Sequence, residues 1–323
     1  MLRPWVDCCL LGCLFAASAL TSPLIATAQA SETSPDQTQT YRIHVAVNEV
    51  TLTFHAADEH GLPVTDLKIN ELNLLDDGKP PSRVLEFGPV QSSAVRGGIL
   101  IDTSESVQQQ VSGSRAISSR FAQRMLRQPA DQGFVMAFGY TSRITQPWTS
   151  DATALTAGIR QVVTGRENPL GGTALFDTLF RACFNLFGNV DHASGGNFIL
   201  LFSDGNDNAS HTSMPEVIDI CQRANTAIYA FRAEPSASLF SGGPKTLAEL
   251  AAQTGGRVFP DDDTEAATDD DLRTIEGDQR NQYRLIYSPA ELKHDGQFHR
   301  IVLQLPTRVD SVSVRSGYYD RPR

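Results

Sequence analysis

The chain is poor in cysteine where it has to fold. Of its five cysteines, Cys8, Cys9 and Cys13 crowd the amino terminus, and only Cys183 and Cys221 lie beyond. That number excludes a disulfide-framework scaffold, and the spacing excludes a cysteine-based zinc site. The remaining pair reads as two buried core thiols, with a disulfide as the alternative that an oxidising compartment allows. Lysine is equally scarce: past residue 30 it occurs at positions 68, 79, 245 and 293. Basic residues number 27 against 37 acidic ones, a formal net charge of -10. An acid excess of this size argues against nucleic acid or an anionic membrane surface as a non-specific partner, since both need a basic footprint. No internal repeat is visible. Past the amino terminus no apolar run is long enough to cross a membrane.

What the amino terminus does have is the pattern of a secretory signal. Arg3 supplies positive charge, Cys8 to Ala17 form a short apolar run, and Ala28-Gln29-Ala30 fits a small-x-small cleavage site. Residues 1–30 are therefore expected to be a signal peptide. A retained membrane anchor is the alternative, but Ser18, Thr21, Ser22 and Pro23 leave the run short for a span. Leu10-Leu11-Gly12-Cys13 has the form of a lipoprotein box but lies too near the start. The expected location is the periplasm, the cell envelope or the extracellular space, with no membrane span after cleavage. Residues 31–40 are polar and aperiodic and read as a flexible lead-in.

From Tyr41 the pattern is β-like. Ile43, Val45 and Val47 alternate with polar or small residues, and Val50, Leu52 and Phe54 continue in a second phase. Short strands follow at Leu72–Leu74 and Val84–Phe87, with Asp77-Gly78 as a hairpin turn between them. At Gly97 the character changes. Ile99–Ile101, Phe134–Phe138, Phe198–Phe202 and Ala227–Phe231 are continuous apolar runs, as expected of strands buried on both faces of a parallel sheet. Between them apolar residues recur at helical spacing, as in Ile117, Phe121 and Met125, or Leu175, Leu179 and Cys183. Pro215 suits a first helical turn and Gly255-Gly256 a helix end. Strands alternating with helices predict an α/β fold: a Rossmann-like, doubly wound, mostly parallel sheet. The acidic run at 261–271 lacks the glycine and terminal glutamate of an EF-hand and reads as a solvated loop or helix entry. After Asn281 the β pattern returns at Tyr283–Tyr287, His299–Leu305 and Val309–Val314. Neither β flank holds enough strands alone, so the two are expected to pair into one small all-β sandwich into which the α/β domain is inserted. The expected divisions are 41–94 and 281–323 for the sandwich, 95–262 for the α/β domain and 263–280 for a linker.

Three short motifs carry chemistry. The first α/β strand ends in Asp102-Thr103-Ser104-Glu105-Ser106, and alternation brings the 102, 104 and 106 side chains toward one point. The third apolar run ends in Ser203-Asp204-Gly205, and Gly171-Gly172-Thr173 sits just before a helix. In open α/β sheets ligands lie beyond the carboxyl ends of the strands. Asp102, Ser104, Ser106, Thr173 and Asp204 together supply two carboxylates and three hydroxyls. These hard oxygen donors suit Mg²⁺, or Mn²⁺ or Ca²⁺, rather than zinc or copper. A lone D-x-S-x-S can instead be a helix-capping turn, since Asp and Ser are good N-caps. Asp207 and Asn208 read as exposed turn residues.

With these motifs in this order, the segment of about residues 95–262 resembles a von Willebrand factor type A domain with a metal-ion-dependent adhesion site. Phe138-Gly139 and Leu250-Ala251-x-x-Thr254-Gly255-Gly256 are further matches. The resemblance implies that Ser104, Ser106 and Thr173 contact the metal directly, and that Asp102 and Asp204 act through water or exchange roles. It also implies that a carboxylate from a protein partner completes the coordination. Asp58-x-x-Gly61-x-Pro63-Val64-x-x-Leu67, Asp76-Asp77-Gly78-Lys79-Pro80, Phe87 and Gly317-Tyr318 resemble exported acidobacterial proteins related to type A domains. The expected function is a metal-dependent, adhesion-type protein-binding module rather than an enzyme. Neither Ser104 nor Ser106 sits in a G-x-S-x-G elbow, His192 and His211 read as loop histidines, and no lysine lies near the motifs for phosphoryl chemistry. A structural subunit of an envelope complex is the alternative, with a hydrolase behind it.

Overall fold

A computed structural model describes residues 49–90, 94–167, 170–188, 196–233, 242–260, 265–292 and 294–320. Residues 1–40, the alternation at Ile43–Val47, His192 and residues 261–264 of the acidic run lie outside the described residues.

The apolar runs form the centre of the molecule. β4 (Arg96–Asp102), β5 (Gln132–Phe138), β7 (Asn197–Ser203), β8 (Thr226–Arg232) and β9 (Val258–Pro260) pair in parallel. With the antiparallel edge strand β6 (Ser142–Thr149) they give the order β6-β5-β4-β7-β8-β9. Strand alternation divides the side chains between two cores. Ile99, Ile101, Val135, Phe198 and Leu200 pack with Ile117, Phe121 and Met125 of α1 (Val111–Met125) and Leu155 and Ile159 of α2 (Ala152–Arg160). On the other face, Leu100, Phe134, Met136, Ile199 and Leu201 meet three helices: α3 (Leu175–Arg181), α4 (Met214–Arg223) and α5 (Gly243–Thr254). Both faces are covered, which is why these strands read as unbroken apolar runs.

The flanks pair with each other. β1 (Val50–Ala57) lies between β10 (Gln282–Ser288) and β12 (Ser311–Val314), and β3 (Arg83–Val90) adds to β10. The second sheet is β13 (Gly317–Tyr319), β11 (Phe298–Gln304) and β2 (Asn73–Asp76). Leu52, Phe54, Leu74, Tyr283, Leu285, Tyr287, Ile301 and Tyr318 fill one core between the two sheets. The α/β layer is thus inserted between strands that depend on one another across more than two hundred residues.

Four expectations change. The segment 263–280, expected as a linker, forms α6 (Glu265–Arg280). Its Leu272 and Ile275, one and zero per cent exposed, join the core beside α1. Burying each stabilises by roughly 1.5–3 kcal/mol, enough to dock a segment that is charged elsewhere. The Asp77-Gly78 turn forms, with φ of 48° and 77° as a type I′ turn requires. It does not make a β2–β3 hairpin, because β2 enters the three-stranded sheet and β3 the four-stranded one. The edge strand β6 was not expected. Finally, Cys183 and Cys221 are joined by a disulfide rather than left as two thiols. It links the π-helical continuation of α3 to α4. Among the described residues no helix is long and apolar enough to cross a membrane.

Candidate metal centre

The parallel register sets the site. Ile101 lies opposite Phe202, so the chains leave the sheet side by side at Asp102 and Ser203. Asp102 is two per cent exposed and both of its oxygens are held. Oδ1 accepts from the Ser104 amide at 2.9 Å, and Oδ2 accepts from the Ser203 hydroxyl at 2.7 Å. The first bond is the local turn that an aspartate makes with the amide two residues on, and it folds Ser104 back over the strand end. Ser104 Oγ then lies 3.4 Å from Ser106 Oγ. Ser104 is buried, while Ser106 is exposed at the mouth. Thr103 faces the other way, its hydroxyl donating to the Phe138 carbonyl at 2.8 Å.

Asp204 repeats the device on β7. Its Oδ1 accepts from the Asn206 amide at 2.9 Å, and Gly205 follows at a φ of 80°. A side chain at Gly205 would stand 2.3 Å from the Gly243 carbonyl oxygen at the start of α5, so glycine is required both by conformation and by space. Asp204 is fully buried, and its Oδ2 has no hydrogen-bond partner.

The backbone of Thr173 is held by the loop after Asp204. Its amide donates to Asn208 Oδ1 at 2.7 Å, and its carbonyl accepts from the amides of Asn208 and Ala209, each at 3.1 Å. Gly172 precedes it at a φ of 95°, where a Cβ would meet Asn208 Oδ1 at 2.8 Å. Asp207 Oδ2 accepts from the Phe176 amide at 2.9 Å, in the first turn of α3. The two residues read in the sequence as turn residues therefore hold the Gly-Gly-Thr loop and the start of α3. Ser203 and Glu167 were also not singled out. Glu167, two per cent exposed, accepts from Arg143 Nε at 2.6 Å and its carbonyl from the Thr141 amide at 2.9 Å, which anchors the loop leading to Thr173. Ser203 lies inside the Ser203-Asp204-Gly205 motif, but its bond to Asp102 depends on the pairing of β4 with β7. Glu167 had no signal, because its partners are distant in the chain.

Burial pushes the Asp102 carboxyl up to about 6, with the nearby Asp204 adding to the rise and the hydrogen bonds from Ser104 and Ser203 opposing it. Two buried acids side by side, one with an unpartnered oxygen, form an arrangement that a cation would balance. The five side chains offer carboxylate and hydroxyl oxygens, a donor set whose chemistry fits a hard divalent ion. His211, a candidate base in the sequence, lies 3.2 Å from Asp177 instead.

Residues 98–206 match the model of the family described as von Willebrand factor type A domain. This segment is a von Willebrand factor type A domain. Solved structures resemble it at low identity. BatB from Bacteroides thetaiotaomicron aligns at 14% identity over 57% of this chain and 98% of its own, with a TM-score of 0.47. Proximal thread matrix protein 1 from the mussel byssus, with a zinc-occupied MIDAS motif, aligns at 14% identity over 62% of this chain and 50% of its own, with a TM-score of 0.48. An aerotolerance-related membrane protein from Bacteroides fragilis NCTC 9343 aligns at 14% identity over 57% of this chain and 99% of its own, with a TM-score of 0.46. No curated protein matches the chain. The type A segment begins at the third residue of β4 and ends just beyond Asp204, so it contains all five of the proposed ligand positions.

Proposed function

We propose that the protein is an exported, metal-dependent protein-binding module of the adhesion type. Ser104, Ser106 and Thr173 offer hydroxyl oxygens to a divalent cation, Mg²⁺ in the first place and Mn²⁺ or Ca²⁺ by the same chemistry. Asp102 and Asp204 supply the charge beneath, through water or by direct contact. The bound cation would supply Lewis acidity toward a carboxylate, so the partner is a protein presenting an Asp or Glu. The observation that carries this reading is the pair of buried carboxylates at adjacent strand ends, with Asp204 Oδ2 unpartnered and Ser106 open to solvent. Ser203, Asn206 and the Ser104 amide orient the two acids before any ion arrives, which lowers the ordering cost of binding.

Export follows from the leader expected at residues 1–30 and is supported by the Cys183–Cys221 disulfide, a bond that persists in oxidising compartments. The protein carrying the zinc-occupied adhesion site, proximal thread matrix protein 1, comes from the mussel byssus. The family relationship to exported acidobacterial proteins belongs to the same proposal. The test is calorimetric titration of Mg²⁺ and Mn²⁺ into the wild type, Asp102→Ala and Thr173→Ala. Binding by the wild type that both variants lose is the expected result. A folded wild type that takes up neither ion at millimolar concentration rules the proposal out.

A further inference from the structure

A second group of metal-binding side chains lies in the β-sandwich, remote in sequence from every residue of the type A site. We propose that Asp76, Asp77 and His299 form a separate site for Zn²⁺. One ligand atom from each residue falls within 4.8 Å of the others. Asp76 closes β2, Asp77 is the first residue of the type I′ turn, and His299 lies on the neighbouring strand β11.

Each carboxylate is held by one oxygen and presents the other. Asp76 Oδ2 accepts from the Tyr287 hydroxyl at 2.7 Å and the Tyr318 hydroxyl at 3.0 Å, leaving Oδ1 toward His299 Nδ1 at 3.9 Å. Asp77 Oδ1 accepts from the Arg300 amide at 2.8 Å, and its Oδ2 lies 3.0 Å from the same Nδ1. The Tyr318 ring stacks on the imidazole at 5.1 Å and fixes its plane. Three donors thus converge without any further rotation.

The far side of the ring supplies the independent observation. His299 is three per cent exposed, and its Nε2 has no hydrogen-bond partner. The nearest acid is Asp320, whose Oδ2 is 3.9 Å away. A neutral ring that donates from Nδ1 to Asp77 leaves Nε2 as a bare buried acceptor facing an acid. A cation on Nδ1 takes the place of the proton there and sets Nε2 as the protonated nitrogen, on the side of Asp320 Oδ2 at 3.9 Å, the carboxylate–histidine–metal order found in protein metal sites. Two carboxylate oxygens and one imidazole nitrogen are a three-ligand set of the kind zinc takes, with a further position left for water. Asp77 is half exposed, so the ion has a route in. The imidazole sets this donor group apart from the oxygen donors of the type A site.

The test uses the metal-stripped full chain and Zn²⁺ in the Asp102→Ala background, which silences the type A site. Zn²⁺ is expected to raise the melting temperature there. Asp77→Asn is the decisive variant, because Asn also tolerates the positive φ of this turn. It is expected to weaken the stabilising Zn²⁺ binding by more than about 100-fold, since loss of an outer partner alone costs about 10–100-fold. His299→Gln is expected to do the same. Exposed histidines and the leader cysteines are unchanged across the set, so zinc held by them cancels in the comparison. If folded Asp102→Ala gains no thermal stability from micromolar Zn²⁺, or if Asp77→Asn gains as much, the proposal is overturned.

Discussion

Breaking the Cys183–Cys221 bond tests the fold and the compartment together. The bond closes a loop of 38 residues that includes all of β7, Asp204 and the segment that holds Thr173. In the chain-entropy description, a loop of that length restricts the unfolded chain enough to stabilise the protein by about 4 kcal/mol. For a domain of this size, about 2–4 °C of melting temperature accompanies each kcal/mol. Reduction is therefore expected to lower the melting temperature by roughly 8–15 °C. Both cysteines are fully buried, so reductant acts only after opening. The comparison should be between protein refolded with and without reductant, followed by circular dichroism against temperature.

The thiols of the reduced form keep the same side-chain volumes, so little of the loss can be assigned to a cavity. This separates the measurement from a Cys→Ala substitution, which adds a packing loss of its own. Thiol titration in denaturant supplies the second reading. Protein recovered from the exported fraction with its leader removed is expected to show no free thiol. If Cys183 and Cys221 both react, or if the two refolded forms melt together, the entropic argument and its support for export both fail.

Two further outcomes follow from single contacts. Asn208→Ala removes the acceptor for the Thr173 amide. It is expected to weaken Mg²⁺ or Mn²⁺ binding by about 10–100-fold, with a stability loss of only about 1 kcal/mol; unchanged calorimetric affinity would return Asn208 to the status of an ordinary turn residue. Asp131 is fully buried, and burial alone would raise its carboxyl. Arg280 at 2.8 Å and the amides of Val95, Gln128 and Arg127 outweigh that and hold it below the usual value. A depressed folded value means that its stabilisation is complete above the ordinary carboxylate pKa and is lost as the pH falls through the folded one. Asp131→Ala is expected to cost about 3 kcal/mol, at the low end for a broken buried pair because Glu276 still faces Arg280. Urea titrations from neutral pH downward should show the variant losing less stability in acid than the wild type, and equal slopes would refute the assignment.

The sequence made the centre of the fold legible because its signal is local. A strand covered on both faces is apolar through its middle, as at Ile99–Ile101, Phe134–Phe138, Phe198–Phe202 and Ala227–Phe231. Asp102 and Asp204 were legible for a related reason, as the first acids after those runs. β6 escaped because it is an edge strand: Ser142, Arg143, Gln146 and Pro147 are permitted only where one side of the strand is free. The acidity around α6 hid the Leu272 and Ile275 stripe, so composition outweighed periodicity. The disulfide depends on α3 and α4 lying side by side, which spacing in the chain does not report. Asn208, Ser203 and Glu167 act through hydrogen bonds to backbone and side chains that only the folded register brings near.

The two ends of the central sheet have different work. β4 carries the chain about 20 Å, at roughly 3.3 Å per residue, from Arg96 at the base to Asp102 at the proposed metal site. The clasp to the β-sandwich lies at the base. There Asp278 of α6, two per cent exposed, accepts from Tyr229 of β8 at 3.1 Å, Ser313 of β12 at 2.8 Å and Arg257 at 3.1 Å. His55 of β1 stands 3.6 Å away. Burial, and then the Asp278 charge, raises the Tyr229 hydroxyl pKa, so the phenol stays a donor. Parting the sandwich from the sheet would strip this buried acid of partners from several elements, a loss of the order of 3–5 kcal/mol when one member of a buried pair goes. The flanks are therefore bound to the type A domain cooperatively, yet at the end away from Ser106. Substitutions in the clasp should therefore act on stability, read as melting temperature, while leaving calorimetric metal affinity in place.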